Sequence, residues 1–462
     1  MKKSKRIVKI AGALFAGILT AAGLTGCIGG KQEPQPPVTV TVWHYYNGAQ
    51  QIAFENMVSE FNDTEGKEEG IVVECHSQAG VENVLKVVLD AEAEKQGAAA
   101  MPNICSAYAD TAYQMYQKDL LVDLLDYFTD EELENYYQGF LNDGKFAEDK
   151  MMILPVAKAT EVLVLNRTDW EPFAREYGLD LEALSTYEGI TKTAELYYGW
   201  SKGKAFFGRD AMANLFFAGA VQNGFELATE QDGKTRLHLD RDFFRKLWDN
   251  FYIPYVKGYF TKNGKFCSDD MGTGEIIAYI GSSSGADYIP DKVMVSDRRG
   301  YNIETCVLPC PVFEGGIKAA PQQGAGMVVL RSDPEKESAS VAFLKWFTEE
   351  SRNKEFAVAA GYLPVTAKEL TSLELQQILP QDQDKRSIEM AQTAGKMLLE
   401  YKMYIPVATK DMQTIRGILE KSLLLKAQAD REAGLSAQEA EQEQRFEEWY
   451  QEISEELEAA VR

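Results

Sequence analysis

Residues 38–73 constrain the fold most, because they spell strand, helix and strand with no room for a hairpin. Val38 to Val42 alternates apolar and polar side chains, as a half-buried strand does. Ile52, Ala53, Met57 and Phe61 then recur at helical spacing, and Ile71-Val72-Val73 is a second apolar strand. Strands joined through a helix pair in parallel by a crossover. A second cycle follows: Val81, Val84, Leu85 and Val88 share a helix face before Pro102-Asn103-Ile104 enters a strand. Repeated units of this kind predict an α/β fold whose ligands sit beyond the carboxyl ends of the strands. Trp43 to Asn47 occupy that place after the first strand, and alternation sends Trp43 and Tyr45 to one side, His44 and Tyr46 to the other. His44 and Tyr46 are expected to face the cleft, as are Tyr108 and Asp110 after a later strand.

Farther on, Met151 to Pro155 and Val162 to Leu165 are strand-like runs around a polar break at Lys158 to Glu161. Asp333-Pro334 opens a helix, with an acidic N-cap and a proline where no amide donor is needed. Ala339, Ala342, Phe343, Trp346 and Phe347 form its stripe, and the helices stop near Gly361. From Met412 onward the pattern is charged helix, interrupted at Ala433-Gly434. Glu439 to Glu458 reads as a solvated face.

The amino terminus carries a different message. Lys2, Lys3, Lys5 and Arg6 precede an apolar run from Ile10 to Leu24, shorter than the roughly 20 residues a bilayer span needs. Leu24-Thr25-Gly26-Cys27 closes it with small residues and a cysteine. The order is that of an export signal, and it resembles bacterial lipoprotein signals, which implies removal of 1–26 and diacylation of Cys27. Residues 27–37 then form a proline-spaced tether. The body is expected outside the cell, anchored at the membrane by lipid and not within it.

Beyond residue 26 the chain carries 43 basic against 71 acidic residues. That excess repels nucleic acid and anionic lipid surfaces. Five cysteines follow Cys27, so at least one stays unpaired. Cys306 and Cys310, four residues apart in extended chain, stand roughly 13 Å from each other, beyond disulfide reach.

Taken together, VTVWHYYNGAQQIAFENMVSEFN, PNICSAYAD, LPVAKATEVLVLNRT, AYIGSSSGADYI, QQGAGMVVLRSD and AFLKWFTEESRNKEFAVAAGYLPVT resemble, in order, the solute-binding proteins of carbohydrate-type ABC importers. The resemblance implies a two-lobed, periplasmic-binding-protein-like α/β fold with an interlobe cleft and several hinge crossings. Lobe 1 would comprise 38–157 plus 322–363, and lobe 2 would comprise 158–321 plus 364–462. It implies a monomeric receptor that closes on a sugar, oligosaccharide or polyol phosphate and delivers it to an ABC permease, without a cofactor. Within that family the chain looks most like glycerol-3-phosphate-binding proteins. Their pattern carries over to Ser283 and Ser284 (with Gly285), Gly324, Tyr362 and Arg416, where hydroxyls, amides and a guanidinium suit an oxyanion. On the other side the chain departs from the pattern. Val81 and Ala109 stand for a tyrosine and a glutamate, with Asp110 adjacent, and Lys158 stands for a serine near the first crossing.

Gly281 to Gly285 also fits the GxSxG nucleophile elbow, but His44, His76 and His238 all precede the serine, against the chain order that motif requires. HExxH, P-loop, dinucleotide GxGxxG and paired CxxC motifs are absent from the sequence. A secreted glycosidase with paired carboxylates, or a polysaccharide-binding adhesin, stays open as an alternative.

Overall fold

The computed structural model describes residues 36–78, 80–147, 149–366, 385–434 and 439–462. Cys27 and the leader lie outside the described residues. Contacts divide the chain into a unit at 1–37 and a compact body at 38–462.

In chain order, the strands that build the body are β1 (Val38–His44), β2 (Ile71–Ser77), β3 (Ile104–Ala107), β4 (Ala159–Asn166) and β5 (Phe207–Arg209). They continue as β6 (Ala278–Ser282), β7 (Thr305–Pro309), β8 (Ala319–Gln323), β9 (Gly326–Val329) and β10 (Lys402–Tyr404). The helices used below are α1 (Gly48–Asp63), α2 (Val81–Glu92), α3 (Ala109–Tyr116), α4 (Met212–Gln222), α5 (Pro334–Phe347), α6 (Glu350–Ala359), α7 (Lys385–Glu400), α8 (Met412–Glu432) and α9 (Glu439–Ala460).

The first sheet runs β9-β3-β1-β2. β1 pairs in parallel with β2 (Val38 opposite Ile71) and with β3 (Val42 opposite Ile104), so both crossovers expected from the helical spacing are present. β9 closes the edge antiparallel to β3. One face packs Val40 and Val73 against Phe54 and Phe61 of α1 and Phe343 and Phe347 of α5. The other packs Trp43 and Ala107 against Val84 and Val88 of α2. Ile52 departs from the expected stripe: it is exposed, and Phe54 and Val58 take the core side with Ala53, Met57 and Phe61.

The second sheet runs β10-β8-β4-β6-β5, and β7 joins β4 beyond the end of β8. All eight residues of β4 are buried, as a strand covered on both faces requires. One face meets Phe216, Trp248, Leu419 and Trp449, the other Met271, Tyr279 and Met397. The apolar stripes of α8 and α9 reach this core through Leu423, Phe446 and Leu457.

The chain passes between the sheets where Ala157-Lys158 enters β4 and where Gly324-Ala325 links β8 to β9. Lys158 and Leu363 exchange both backbone hydrogen bonds, at 3.0 and 2.6 Å, so the segment after α6 joins the same bundle of crossings. Gly324 has φ +93° there, and a Cβ would come 2.6 Å from the Ala157 carbonyl oxygen. Only a residue without a side chain tolerates both. Cys75, Cys105, Cys267, Cys306 and Cys310 are unpaired thiols, and all but Cys75 are buried.

Candidate functional site

The carboxyl end of β1, the turn after β6, the segment after α6 and the start of α8 converge beside these crossings. Tyr45 and Tyr362 share a hydrogen bond between hydroxyls at 2.9 Å. The side chains of Gln50 and Ser284 also act on the Tyr362 hydroxyl, whose pKa burial pushes up. Tyr362 therefore sits where loops of both sheets meet. A Cβ on its neighbour Gly361 would lie 3.3 Å from the Ser284 carbonyl oxygen. Tyr108 packs against Tyr45 with ring centroids 6.4 Å apart and leaves 43% of its surface exposed.

Asp110, in the first turn of α3, has its pKa raised by desolvation, against the pull of the Arg416 charge. Arg416 also acts on Tyr108 and on Tyr404. The Arg416 charge, carried by a second-sheet helix, thus acts on first-sheet residues, and Gln114 of α3 bonds Gln413 of α8 at 2.9 Å. The Tyr404 hydroxyl and Gln322 Nε2 are buried without hydrogen-bond partners. Such groups are rare in native proteins, because each gives up its water for nothing.

Of the ten residues singled out from sequence, Tyr108, Asp110, Ser284, Tyr362 and Arg416 come together at this convergence. Ser283 is buried beneath it, its hydroxyl accepting from the Thr160 amide at 3.1 Å, and Gly324 serves the crossing itself. Three residues need a correction. Lys158 is wholly buried: its ammonium pairs with Asp143 and donates to the Gly324 carbonyl at 3.0 Å, so it holds the crossing together and is not exposed to a cleft. His44 and Tyr46 are also fully buried, packed on Phe54 of α1. His44 shares the face of β1 that carries Val40 and Val42 onto α1, and β1 ends there, so strand alternation does not govern Tyr46; Tyr45 takes the cleft place. Sequence reading missed Tyr45, Asn214 and Tyr404. The family pattern drew no attention to them, and the last two reach the site only through tertiary folding. A surface hollow of about 550 Å³ between Phe128, Tyr136, Lys345 and Trp346 lies elsewhere, and none of the candidate residues lines it.

No curated protein matches the chain in sequence. Among solved structures, the cyclic α-maltosyl-1,6-maltose binding protein of Arthrobacter globiformis is similar with a TM-score of 0.69 at 17% identity, over 92% of this chain and 99% of that one. UgpB of Mycobacterium tuberculosis, in complex with glycerophosphocholine, gives 0.67 at 16% identity, over 92% and 98%. The GacH receptor of Streptomyces glaucescens, solved unliganded and with acarbose, gives 0.68 at 12%, over 92% and 98%. The two-lobed, periplasmic-binding-protein-like fold expected from the sequence is therefore the fold of this chain. Residues 56–378 match the family model for bacterial extracellular solute-binding proteins, and the chain belongs to that family.

Proposed function

We propose that this protein is the solute-capturing receptor of an ABC importer, tethered outside the cell through lipid on Cys27, and that it closes on a sugar, oligosaccharide or polyol phosphate. The observation that carries the reading is the convergence of Tyr45, Tyr108, Asp110, Ser284, Tyr362 and Arg416 from both sheets beside the crossings. Flat aromatic faces suit the C–H edges of sugar rings, and a carboxylate and a guanidinium at opposite sides sort hydroxyl donors from acceptors. The similar solved structures include proteins that bind oligosaccharides and glycerophosphocholine. Closure of two lobes about the crossings brings both walls onto one solute, and only the closed form need engage the permease. The lobes are taken as 38–157 with 322–363, and 158–321 with 364–462.

A thermal-shift screen of the protein lacking residues 1–27 tests this. The panel is maltotriose, mannotriose, sn-glycerol 3-phosphate, glycerophosphocholine, amino acids and short peptides. A ligand at 100 times its Kd adds about 2.7 kcal/mol. Stabilisation by a saccharide or phosphorylated polyol is the expected result, and a response to amino acids or peptides alone would count against it.

A further inference from the structure

Arg416 is held from behind. Its guanidinium lies over the Phe217 ring of α4, 5.4 Å from the centroid, and Nη1 donates to Asn214 Oδ1 at 3.1 Å. Asn214 is buried and turns its Nδ2 to Glu161 Oε1 at 2.9 Å. Glu161 is paired with Arg209, and both side chains are 1% exposed. Arg209 also donates to the Tyr187 hydroxyl and the Ala211 carbonyl, each at 3.1 Å. A guanidinium only donates, so the Asn214 amide has one orientation here: oxygen to Arg416, nitrogen to Glu161. One turn farther along α8, Glu420 accepts from the Met212 and Ala213 amides at the start of α4, at 3.2 and 2.9 Å. α4 and α8 are thus pinned twice, and the charge held there acts on Tyr108 and Asp110.

We propose that Asn214 is a positioning residue: anchored on the buried Glu161–Arg209 pair, it aims the Arg416 guanidinium across the cleft at Tyr108 and Asp110. Affinity for the solute then depends on a side chain that the solute does not touch. The affinity half rests on the reading of the cleft given above, whereas the aiming half does not. Glu161 supplies the fixed acceptor, Asn214 converts it into an acceptor for Arg416, and the arginine loses the rotamer freedom it would have on an open helix face.

The test needs no ligand. In the full mature chain with ¹³C-labelled aspartate carboxyls, the Asp110 resonance is identified by its loss in Asp110→Asn and followed through a pH titration. Arg416→Gln removes a charge that favours ionised Asp110, so the midpoint rises. Asn214→Ala is expected to raise it as well, and to add nothing in the Arg416→Gln background. Asn214→Ser keeps a short donor but cannot span Glu161 and Arg416; it gives the same shift should Asn214→Ala fail to fold. Asp143 also faces Asp110, but its partner Lys158 is untouched by these changes. A midpoint that Arg416→Gln moves and the Asn214 variants do not overturns the proposal, as does one that neither moves. In calorimetry with maltotriose and glycerophosphocholine, Asn214→Ala should bind whichever probe the wild type binds about tenfold more weakly. Equal affinity overturns the proposal. Failure of the whole Proposed-function panel to bind the wild type tells against the cleft reading instead, and the carboxyl titration still decides this one.

Discussion

Lys158 and Asp143 show how a single residue can look like a ligand contact and act as a structural tie. Both side chains are almost wholly buried, at 0% and 6% exposure, so removing one partner strands a charge. Lys158→Met is expected to cost about 3–5 kcal/mol in denaturant unfolding, and Lys158→Met with Asp143→Leu should recover most of it. Equal losses in the single and double variants would show that the pair is not coupled. His44 makes a second case. Neither ring nitrogen has a hydrogen-bond partner, and burial holds its pKa down to about 4 from the ordinary 6.5, against the opposing pull of Glu55. The unfolded imidazole takes its proton near pH 6.5 while the folded one does not. Its contribution to stability is therefore complete above pH 6.5 and is lost as the pH falls toward 4. His44→Phe should flatten that part of the decline in Tm, and a profile parallel to wild type would refute the account. Neither burial could be read from sequence, because a lysine or a histidine is sheltered by partners that only tertiary folding supplies.

Among the elements, β1 and β2 were legible because local periodicity and burial agree there, α1 was legible apart from Ile52, and Asp333 does cap α5, accepting from the Lys336 amide at 3.0 Å. The Met151 to Pro155 run was less so: only Lys150–Met151 is strand, and Leu154 makes an isolated bridge to Met327. Crossing segments pair with distant chain, and no local pattern announces the register. The late helix was visible from Met412 onward, but its docking on α4 through Asn214 and Glu420 was not, since both contacts span about two hundred residues. Two glycines separate backbone need from tolerance. Gly324→Ala meets the Ala157 carbonyl and a left-handed φ, which should cost on the order of 1–3 kcal/mol. Gly417→Ala, in α8 with open space around it, should instead gain up to about 1 kcal/mol. Paired melts of the two variants check both, and a neutral Gly324→Ala would mean that the crossing yields more easily than its geometry requires.

For the molecule as a whole, no helix of the described residues is long and apolar enough to cross a membrane. In the function proposed above, attachment falls to Cys27. In cells expressing the full chain, Cys27→Ser should abolish incorporation of labelled palmitate and shift the protein from the membrane to the soluble fraction; retention of label would place the lipid elsewhere. The unpaired thiols have a further consequence. Burial pushes the Cys306 thiol up to about 11 and the Cys310 thiol to about 12, so thiolate is scarce at neutral pH. Folding of the body then requires no disulfide to form, and so no oxidant or disulfide isomerase. With Cys75, the one partly exposed thiol of the body, replaced by serine, a cysteine newly placed on its surface becomes a selective handle for a dye.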